Sequence, residues 1–320
     1  MLNEVKSVYD RKKISIITGV YNEESTIQEV YEVIKKVFSE LSVKYDYEHI
    51  FMDNCSNDNT LPILRNIASK DKRVKIITYS KNFGPIKSEF IGYLNATGDA
   101  VVSFEGNLKD PAELIPTFIE KWEEGYDVVY GVRNKTRDNF LMLFMRKLFY
   151  KLCSSLSEEP LPLNAGSFRI VDRKVVNELI KLNDYKPYIR GLITTIGFKQ
   201  IGINYERKAR PRGRSKSNLT YLIDFAINAF ISYSIIPIRL CTYIGIILSV
   251  VSFLVALVYA IIKIFFWNIQ APGIATVIVL VLFFSGVQMF FLGIIGEYIG
   301  AIHSQVRKKP FVVISEKINL

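Results

Sequence analysis

Apolar and polar positions in the first half of the chain follow two different periods, one typical of strands and one typical of helices. The apolar, β-branched runs that fit buried strands cover residues 14–20, 47–53, 74–79 and 100–104. The segments with apolar side chains at helical spacing cover residues 25–43, 60–69, 85–95, 138–156 and 173–182. Repeated strand and helix units form a mostly parallel sheet with helices on both faces. The pattern therefore predicts an α/β fold.

Two long uncharged stretches near the C-terminus, residues 240–262 and 274–295, add a second kind of structure. As helices they are roughly 33 to 35 Å long, enough to cross a hydrocarbon core of about 30 Å. The connector between them carries a single cation, Lys263, whereas both outer flanks are rich in lysine and arginine. By the positive-inside rule, the sequence predicts a multi-pass membrane protein whose N-terminal domain and both termini are cytoplasmic.

These patterns divide the chain into four parts. Residues 1–216 are predicted to form the α/β domain, which is long enough to bury one sizeable core. Residues 217–239 have an apolar face and are predicted to form a helix along the membrane interface. Residues 240–301 form the predicted transmembrane hairpin, and residues 302–320 the cytoplasmic tail.

Charge and cysteine content exclude two other classes of protein. The formal net charge is +10, but the excess of cations is concentrated beside the apolar stretches, where topology and anionic headgroups account for it. We therefore predict no nucleic-acid partner and a lipid bilayer as the surface that the cations face. The three cysteines, Cys55, Cys153 and Cys241, lack metal-ligand spacing and predict free thiols.

Polar residues gather immediately after each predicted strand, at residues 21–24, 53–58, 81–84 and 105–109. In open α/β sheets, ligands bind at the carboxyl ends of the strands, so these residues are candidates for one binding site. A carboxylate at a strand end, such as Asp53, can accept the imide N–H of a uracil ring. The alternative is an ordinary polar turn, because Asp, Asn and Ser favour such loops.

Several short motifs occur in order between residues 20 and 216. They are Val20-Tyr21-Asn22-Glu23-Glu24, Met52-Asp53-Asn54-Cys55-Ser56-Asn57-Asp58-Asn59-Thr60, Asn82-Phe83-Gly84, Gly98-Asp99-Ala100, Gly166-Ser167-Phe168-Arg169, Arg190-Gly191 and Ser215-Lys216. Together they resemble family 2 glycosyltransferases, and within them the polyprenyl-phosphate group that includes dolichol-phosphate mannose synthase and the bactoprenol glucosyltransferases. The apolar hairpin and the closing Gly296-Glu297-Tyr298-Ile299-Gly300 resemble the bactoprenol type.

The resemblance implies a GT-A fold, a nucleotide-sugar donor, a polyprenyl-phosphate acceptor and a homotetramer that serves the cell envelope at the bacterial inner membrane. The donor-binding residues that it implies are Tyr21, Asn22, Glu23, Asp53, Asn82, Gly84 and Glu105. Small residues in the second span, Gly286, Gly293, Gly296 and Gly300, would permit the close helix packing of an oligomer.

The chain departs from the family pattern at Glu105-Gly106-Asn107-Leu108-Lys109, where relatives usually carry Asp-X-Asp-Leu-Gln. Glu105 and Asn107 could hold Mg²⁺ or Mn²⁺ only weakly, and Lys109 would repel the ion. Leaving diphosphate needs positive charge, which either a metal or fixed cations can supply. Two interpretations stay open: Lys109, together with Arg210, partly replaces the metal, or the site is catalytically impaired.

A second departure places Ser167 where many relatives carry Asp. This loss need not abolish transfer, because a phosphate monoester is already largely anionic at neutral pH and attacks without losing a proton. Arg169 suits bidentate phosphate recognition, although a structural ion pair is the alternative. With Glu105, Asn107 and Lys109 it completes the predicted catalytic set. The predicted lipid-phosphate contacts are Arg169, Arg210, Ser215 and Lys216.

Asp110, Pro111 and Glu113 follow this motif and could be mistaken for replacement acids. Their spacing is that of a helix start, with Asp110 as the N-cap, Pro111 at the first helical position and Glu113 three residues after the cap. We therefore predict a structural role for them.

The leading hypothesis is an inverting glycosyltransferase that moves a sugar from a UDP-hexose to undecaprenyl phosphate on the cytoplasmic face of the membrane. The alternative is an impaired nucleotide-sugar-binding membrane protein that acts as a regulator or assembly partner. A processive polysaccharide synthase is disfavoured, because neither Trp122 nor Trp267 completes a Gln-X-X-Arg-Trp motif.

Overall fold

The computed structural model describes residues 11–133, 165–182, 184, 187, 189–206, 236–265, 273–307 and 310–320. The chain forms two compact units, one built from the N-terminal region together with the C-terminal residues from 308 onward, and the other mainly from residues 218–307. The predicted helix at 138–156 and residues 217–235 of the predicted interfacial helix lie outside the described residues, as do Arg210, Ser215 and Lys216.

An eight-stranded sheet forms the centre of the first unit. The strands are β1 (Lys12–Val20), β2 (Tyr45–Asp53), β3 (Val74–Tyr79), β4 (Ala100–Ser103), β5 (Val128–Arg133), β6 (Ala165–Asp172), β7 (Gln200–Tyr205) and β8 (Ile314–Ile318). Their order is β7-β5-β6-β4-β1-β2-β3-β8. Strands β3, β2, β1 and β4 are parallel neighbours, while β6 and β8 are antiparallel to the strands beside them. The predicted mostly parallel α/β architecture is therefore confirmed.

Helices cover both faces of this sheet. They are α1 (Ile27–Leu41), α2 (Thr60–Lys70), α3 (Pro85–Asn95), α4 (Ile115–Glu123), α5 (Arg173–Leu182) and α6 (Ile189–Thr195). Successive residues of a strand point to opposite faces, so in β1 Ile16 packs in the cluster with α1, α2 and α4, whereas Ile17 packs in the cluster with α3, α5 and α6. Burial on both faces explains why the central strands are continuous apolar runs.

Strands β5, β6 and β7 were not predicted from the sequence pattern. Strand β6 runs antiparallel between β4 and β5, and its register places Ser103 beside Arg169. The motif Gly166-Ser167-Phe168-Arg169 therefore lies within a sheet strand. This placement brings Arg169 to the part of the sheet where β4 ends.

The C-terminal residues return to the sheet as strand β8, which pairs antiparallel with the edge strand β3. The Ser80 N–H donates to the Val313 carbonyl over 3.0 Å, and the Thr78 and Ser315 hydroxyls lie 2.8 Å apart. The Asn319 amide donates to the Ala68 carbonyl over 2.9 Å. Residues 302–320 had been predicted only as a tail, so this strand is an addition to the sequence-based description.

The second unit contains two long apolar helices, α7 (Ile236–Phe265) and α8 (Ile274–Val306), which contact each other. Helix α7 begins four residues before the predicted span, because Pro237 falls in the first turn, where its missing N–H has no helical partner to lose. Within the described residues, the stretch Leu280–His303 is long and apolar enough to cross a membrane, and Cys241–Val255 is a shorter apolar stretch. Apolar side chains such as Phe253 and Met289 are exposed on both helices.

Candidate active site

The loops that follow β1 and β2 are tied together at the carboxyl edge of the sheet. The Asn22 N–H donates to the Ser56 hydroxyl over 2.9 Å, and the Asn22 side-chain oxygen accepts from the Asn57 N–H over 2.8 Å. One residue further along, the Glu23 N–H donates to the Thr60 hydroxyl over 2.8 Å. Asn22 adopts a left-handed conformation with φ of 52°, which asparagine tolerates better than most residues. The residues after β1 and β2 therefore form one fixed surface.

Asp53 ends β2 and is almost fully buried, with 1% of its surface exposed. Its carboxylate accepts the Ser56 hydroxyl over 2.5 Å and the Ser56 N–H over 3.2 Å. Burial raises the pKa of Asp53, and the hydrogen bonds from Ser56 only partly offset that increase. In this arrangement Asp53 organises the turn at residues 53–56 as well as lying at the edge where the donor base was predicted.

The loop after β3 reaches the same edge. The Asn54 side-chain oxygen accepts the Phe83 N–H over 3.3 Å, and the Asn82 side chain accepts the Gly84 N–H over 2.8 Å. Gly84 has φ of 89°, a conformation that favours glycine, and it precedes α3. The structure thus brings the predicted residues Asn82 and Gly84 to the loops that carry Asn22 and Asp53.

The loop after β4 completes this edge of the sheet. The Thr26 hydroxyl donates to the Gly106 carbonyl over 3.0 Å, which ties the loop to the start of α1. Asn107 donates its amide N–H to Glu105 over 2.8 Å, and its side-chain oxygen accepts the Lys109 N–H over 3.2 Å. Glu105, Asn107 and Lys109 are therefore neighbours in space as well as in sequence.

Arg133, at the end of β5, forms an ion pair with this loop, with its Nη2 atom 3.6 Å from Glu105 Oε1. Its Nε–H donates to the Tyr205 hydroxyl over 3.3 Å, and that hydroxyl donates to Asp110 Oδ1 over 2.5 Å. These contacts link the Glu105 carboxylate to the buried Asp110 through two side chains from β5 and β7. Arg133 and Tyr205 were not among the predicted site residues, because their strands were not recognised from the sequence pattern.

The predicted N-cap role of Asp110 is wrong. The first turn after the loop is a 3₁₀ helix, Ala112–Leu114, whose N-cap position is occupied by Pro111, and no side chain caps it. The Asp110 carboxylate is instead buried and accepts the Tyr205 hydroxyl, a partner nearly a hundred residues away in sequence. A capping pattern describes only the local sequence. The Asp110 carboxylate forms a tertiary hydrogen bond with Tyr205 and not a helix cap.

The contacts of Glu105 and Asn107 do not fit a divalent metal site. Hard cations prefer several oxygen ligands, but Glu105 receives an amide N–H and pairs with the Arg133 guanidinium. Among the described residues, no group of three or more His, Cys, Asp or Glu side chains is arranged to hold a metal ion. The Arg133 guanidinium supplies positive charge beside this loop, with Nη2 3.6 Å from Glu105 Oε1.

Arg169 lies on β6 with 4% of its surface exposed. Its guanidinium donates to the Gly166 carbonyl over 2.8 Å and to the Ser167 carbonyl over 3.3 Å. Arg190, from α6, donates to the Ser167 hydroxyl over 3.3 Å and is half-buried. Glu89 of α3 accepts the Ser103 hydroxyl over 3.0 Å. Neither Glu89 nor Arg190 was a predicted site residue, and for Glu89 the only sequence signal was a carboxylate in a helix that otherwise packs against the sheet.

Comparison with known proteins identifies the family. The profile of glycosyl transferase family 2 matches residues 15–180, and the profile of the GtrB C-terminal hairpin matches residues 236–302. The uncharacterized glycosyltransferase YkcC of Bacillus subtilis is 36% identical over 96% of this chain and 94% of its own length. The SfII prophage-derived bactoprenol glucosyl transferase of Shigella flexneri is 34% identical over 95% of this chain and 98% of its own length.

Solved structures match less closely. The glucosyl-3-phosphoglycerate synthase of Mycobacterium tuberculosis, in complex with Mn²⁺, UDP and phosphoglyceric acid, is 20% identical and aligns with a TM-score of 0.47 over 72% of this chain and 82% of its own. The family profile and the near full-length relatives carry the assignment. The chain belongs to glycosyl transferase family 2: it is a glycosyltransferase with a GT-A fold and a GtrB-type C-terminal hairpin.

Proposed function

We propose that this enzyme transfers a hexose from a UDP-sugar to undecaprenyl phosphate at the cytoplasmic face of the bacterial inner membrane. The observation that carries the proposal is the combination, in one chain, of a family 2 domain with a GtrB hairpin, shared over nearly full length with a bactoprenol glucosyl transferase. A lipid-linked acceptor explains why the catalytic domain is joined to two long apolar helices. The hairpin crosses the membrane twice, and the protein acts as a homotetramer.

The donor binds at the carboxyl edge of strands β1 to β4. The turn at Asp53, the loop of Tyr21, Asn22 and Glu23, and the loop of Asn82 and Gly84 meet at this edge, as the hydrogen bonds among them support. A base seated there places its diphosphate towards the loop after β4, because that loop is tied to the start of α1 at the same edge.

The reaction is a single in-line displacement. An oxygen of the lipid phosphate attacks the anomeric carbon, the bond from that carbon to the diphosphate oxygen breaks, and the nucleoside diphosphate leaves with the electron pair. The product is a polyprenyl-phosphate sugar of inverted configuration. The attacking phosphate is already largely ionised at neutral pH, so Ser167 in place of a carboxylate does not prevent attack.

Fixed cations balance the charge that develops on the leaving diphosphate. Lys109 follows the Glu105 to Asn107 turn, and Arg133 is paired with Glu105 at 3.6 Å. Pre-positioned charges of this kind stabilise the transition state without reorganisation. Arg210 contributes a third cation. Arg169, Ser215 and Lys216 are the proposed contacts of the acceptor phosphate.

A transfer assay tests the proposal. Purified protein is incubated with undecaprenyl phosphate and a panel of radiolabelled nucleotide sugars, with EDTA or with added Mn²⁺. We expect lipid-linked product from one UDP-hexose at similar rates in both conditions. Binding of UDP-sugar without lipid product would instead favour an impaired, regulatory protein, and strict dependence on a divalent ion would refute the role of Lys109.

A matched pair of variants distinguishes the loss of a cation at the proposed site from the loss of a cation elsewhere on the domain. Lys109→Gln should lower kcat, since the leaving group loses one fixed cation. Lys121→Gln removes a partly exposed cation that pairs with Glu124 at the end of α4, and should leave kcat unchanged. Equal effects of the two substitutions would show that the assay reports net charge alone.

A further inference from the structure

A partly buried polar cluster lies on the face of the sheet that α3 and α6 cover. Strand pairing sets Ser103 of β4 directly beside Arg169 of β6, so their side chains point to the same face. Glu89 reaches this face from α3 and accepts the Ser103 hydroxyl over 3.0 Å. One carboxylate therefore lies in the immediate surroundings of the Arg169 side chain.

Two guanidiniums converge on Ser167 from different elements. Arg169 Nε donates to the Ser167 carbonyl over 3.3 Å, and Arg190 Nη2 donates to the Ser167 hydroxyl over 3.3 Å. Arg169 is almost completely buried, whereas Arg190 is half-buried and retains exposed surface. A guanidinium has five N–H donors, so Arg190 can bind an anion while it keeps its contact with Ser167.

The charged side chains of this cluster stabilise one another. Buried cations are tolerated only with nearby compensating charge and hydrogen bonds. Burial raises the pKa of Glu89, and the positive charges of Arg169 and Arg190 and the hydrogen bond from Ser103 offset that increase only in part, while Glu105 adds to it. In its ionised form, Glu89 balances one of the two guanidiniums and leaves the other to meet an incoming phosphate.

We propose that Arg190 binds the acceptor phosphate and that Glu89, with Arg169 behind it, is a positioning residue that sets the charge balance of this site. The inference rests on the proposed function and deepens it, because it names the residues that receive the acceptor. In this proposal Arg190, and not the buried Arg169, contacts the acceptor phosphate directly, and Glu89 on α3 positions the charges around it.

The first test addresses Arg190. Replacement by Gln should raise the KM for undecaprenyl phosphate by about tenfold to a hundredfold, the usual effect of losing a hydrogen bond to a charged group, with the Kd for the UDP-sugar unchanged. Arg190→Lys should recover part of this loss. Arg11→Gln, at an exposed arginine whose guanidinium donates to the Ser42 carbonyl, is the control. An unchanged KM in Arg190→Gln would overturn the assignment.

The second test moves the carboxylate from residue 89 to residue 167. Glu89→Gln removes it and Ser167→Asp adds a second one within reach of Arg190, so each substitution should lower kcat/KM for the acceptor about tenfold or more. The double variant Glu89→Gln/Ser167→Asp restores a single carboxylate and should be at least about tenfold more active than either parent. Glu89→Gln/Ser167→Asn has a side chain of the same shape without the charge and should not recover.

Thermal unfolding of each variant separates a folding defect from a charge effect, because recovery in the Asp double variant but not in the Asn double variant depends on charge alone. Losses that simply multiply in the double variant would overturn the role of Glu89. If wild-type protein transfers no sugar to any lipid phosphate, the proposed function fails. The binding of undecaprenyl phosphate to wild type and Arg190→Gln then decides this inference, and equal affinities would overturn it.

Discussion

Gly166→Ala should impair catalysis with little loss of stability. A Cβ atom at residue 166 would lie 2.8 Å from Nη2 and 3.1 Å from both Cζ and Nε of Arg133. An ordinary contact begins near 3.4 Å, so the guanidinium must move by about 0.6 Å. Its ion pair with Glu105 already spans 3.6 Å, and its bond to the Tyr205 hydroxyl spans 3.3 Å. A shift of this size breaks or weakens both contacts.

The expected cost in stability is small because the atoms displaced are the far end of a flexible, partly exposed side chain. The Arg133 and Glu105 side chains are 20% and 28% exposed, and such pairs contribute about 1 kcal/mol or less. The cost in turnover is larger, since a misplacement of about 1 Å in a catalytic group can lower the rate about a hundredfold. We expect kcat to fall about tenfold to a hundredfold.

Gly131→Ala provides the matched comparison on the neighbouring strand. Its Cβ would lie 2.6 Å from Cε1 of the Tyr205 ring, which is buried and packs against Phe168. A packed ring cannot move as freely as a guanidinium, so this variant should lose stability and turnover together. Radiolabelled transfer and thermal unfolding measure both quantities. Normal turnover in Gly166→Ala with an unchanged Tm would refute the role given to Arg133.

Three further predictions concern the scaffold. Burial opposes the ionisation of Glu48, but its ion pairs with Lys75 and Lys13 and other hydrogen bonds outweigh this effect and lower its pKa to about 2. Glu48→Gln should therefore lower the free energy of unfolding by about 3 kcal/mol at neutral pH. In urea unfolding experiments, this difference from wild type should fade as the pH falls from 4.5 towards 2. Complete burial lowers the pKa of His49 to about 3, so the unfolded chain binds the proton first and wild-type stability should fall as pH drops from 6.5 towards 3; His49→Leu should lack this slope, and an identical slope in both would contradict the assignment. Phe311→Ala removes a ring that packs 5.4 Å from Phe90 of α3 and should destabilise the domain by about 1 to 2 kcal/mol in chemical denaturation, whereas an unchanged midpoint would mean that β8 docks without it.

Strands β1 to β4 and helices α1, α2, α3 and α5 could be predicted because each segment carries its own periodic signal. The bounds of β3, α3 and α5 agree with those predicted from the pattern. Strands β1 and β2 and helix α2 differ by one or two residues at one end, and helix α1 by two residues at each end. Strands β5 to β8 escaped prediction. Strands β6 and β8 are antiparallel strands whose partners, β4 and β3, are distant in sequence.

The residues around the candidate site also fall into two groups, those that sequence position could bring together and those that it could not. Asn22, Asp53 and Asn82 follow parallel strands, and the carboxyl ends of parallel strands meet at one edge, so sequence position alone was enough to bring them together. Arg133 and Tyr205 became neighbours of the Glu105 loop only through the pairing of β5 with β7 and β6. No local pattern marks such residues.

The sequence by itself determined the α/β architecture, the apolar hairpin and the edge of the sheet where polar loops gather, because periodicity and charge act over neighbouring residues. Only the tertiary structure decided which charges face one another. It paired Glu105 with Arg133 and formed the hydrogen bond between the Tyr205 hydroxyl and Asp110. It also set Glu89 beside the strand that carries Arg169. Electrostatic and hydrogen-bond energies depend on distances of a few ångströms between atoms far apart in the chain, and those distances are fixed by strand order and register.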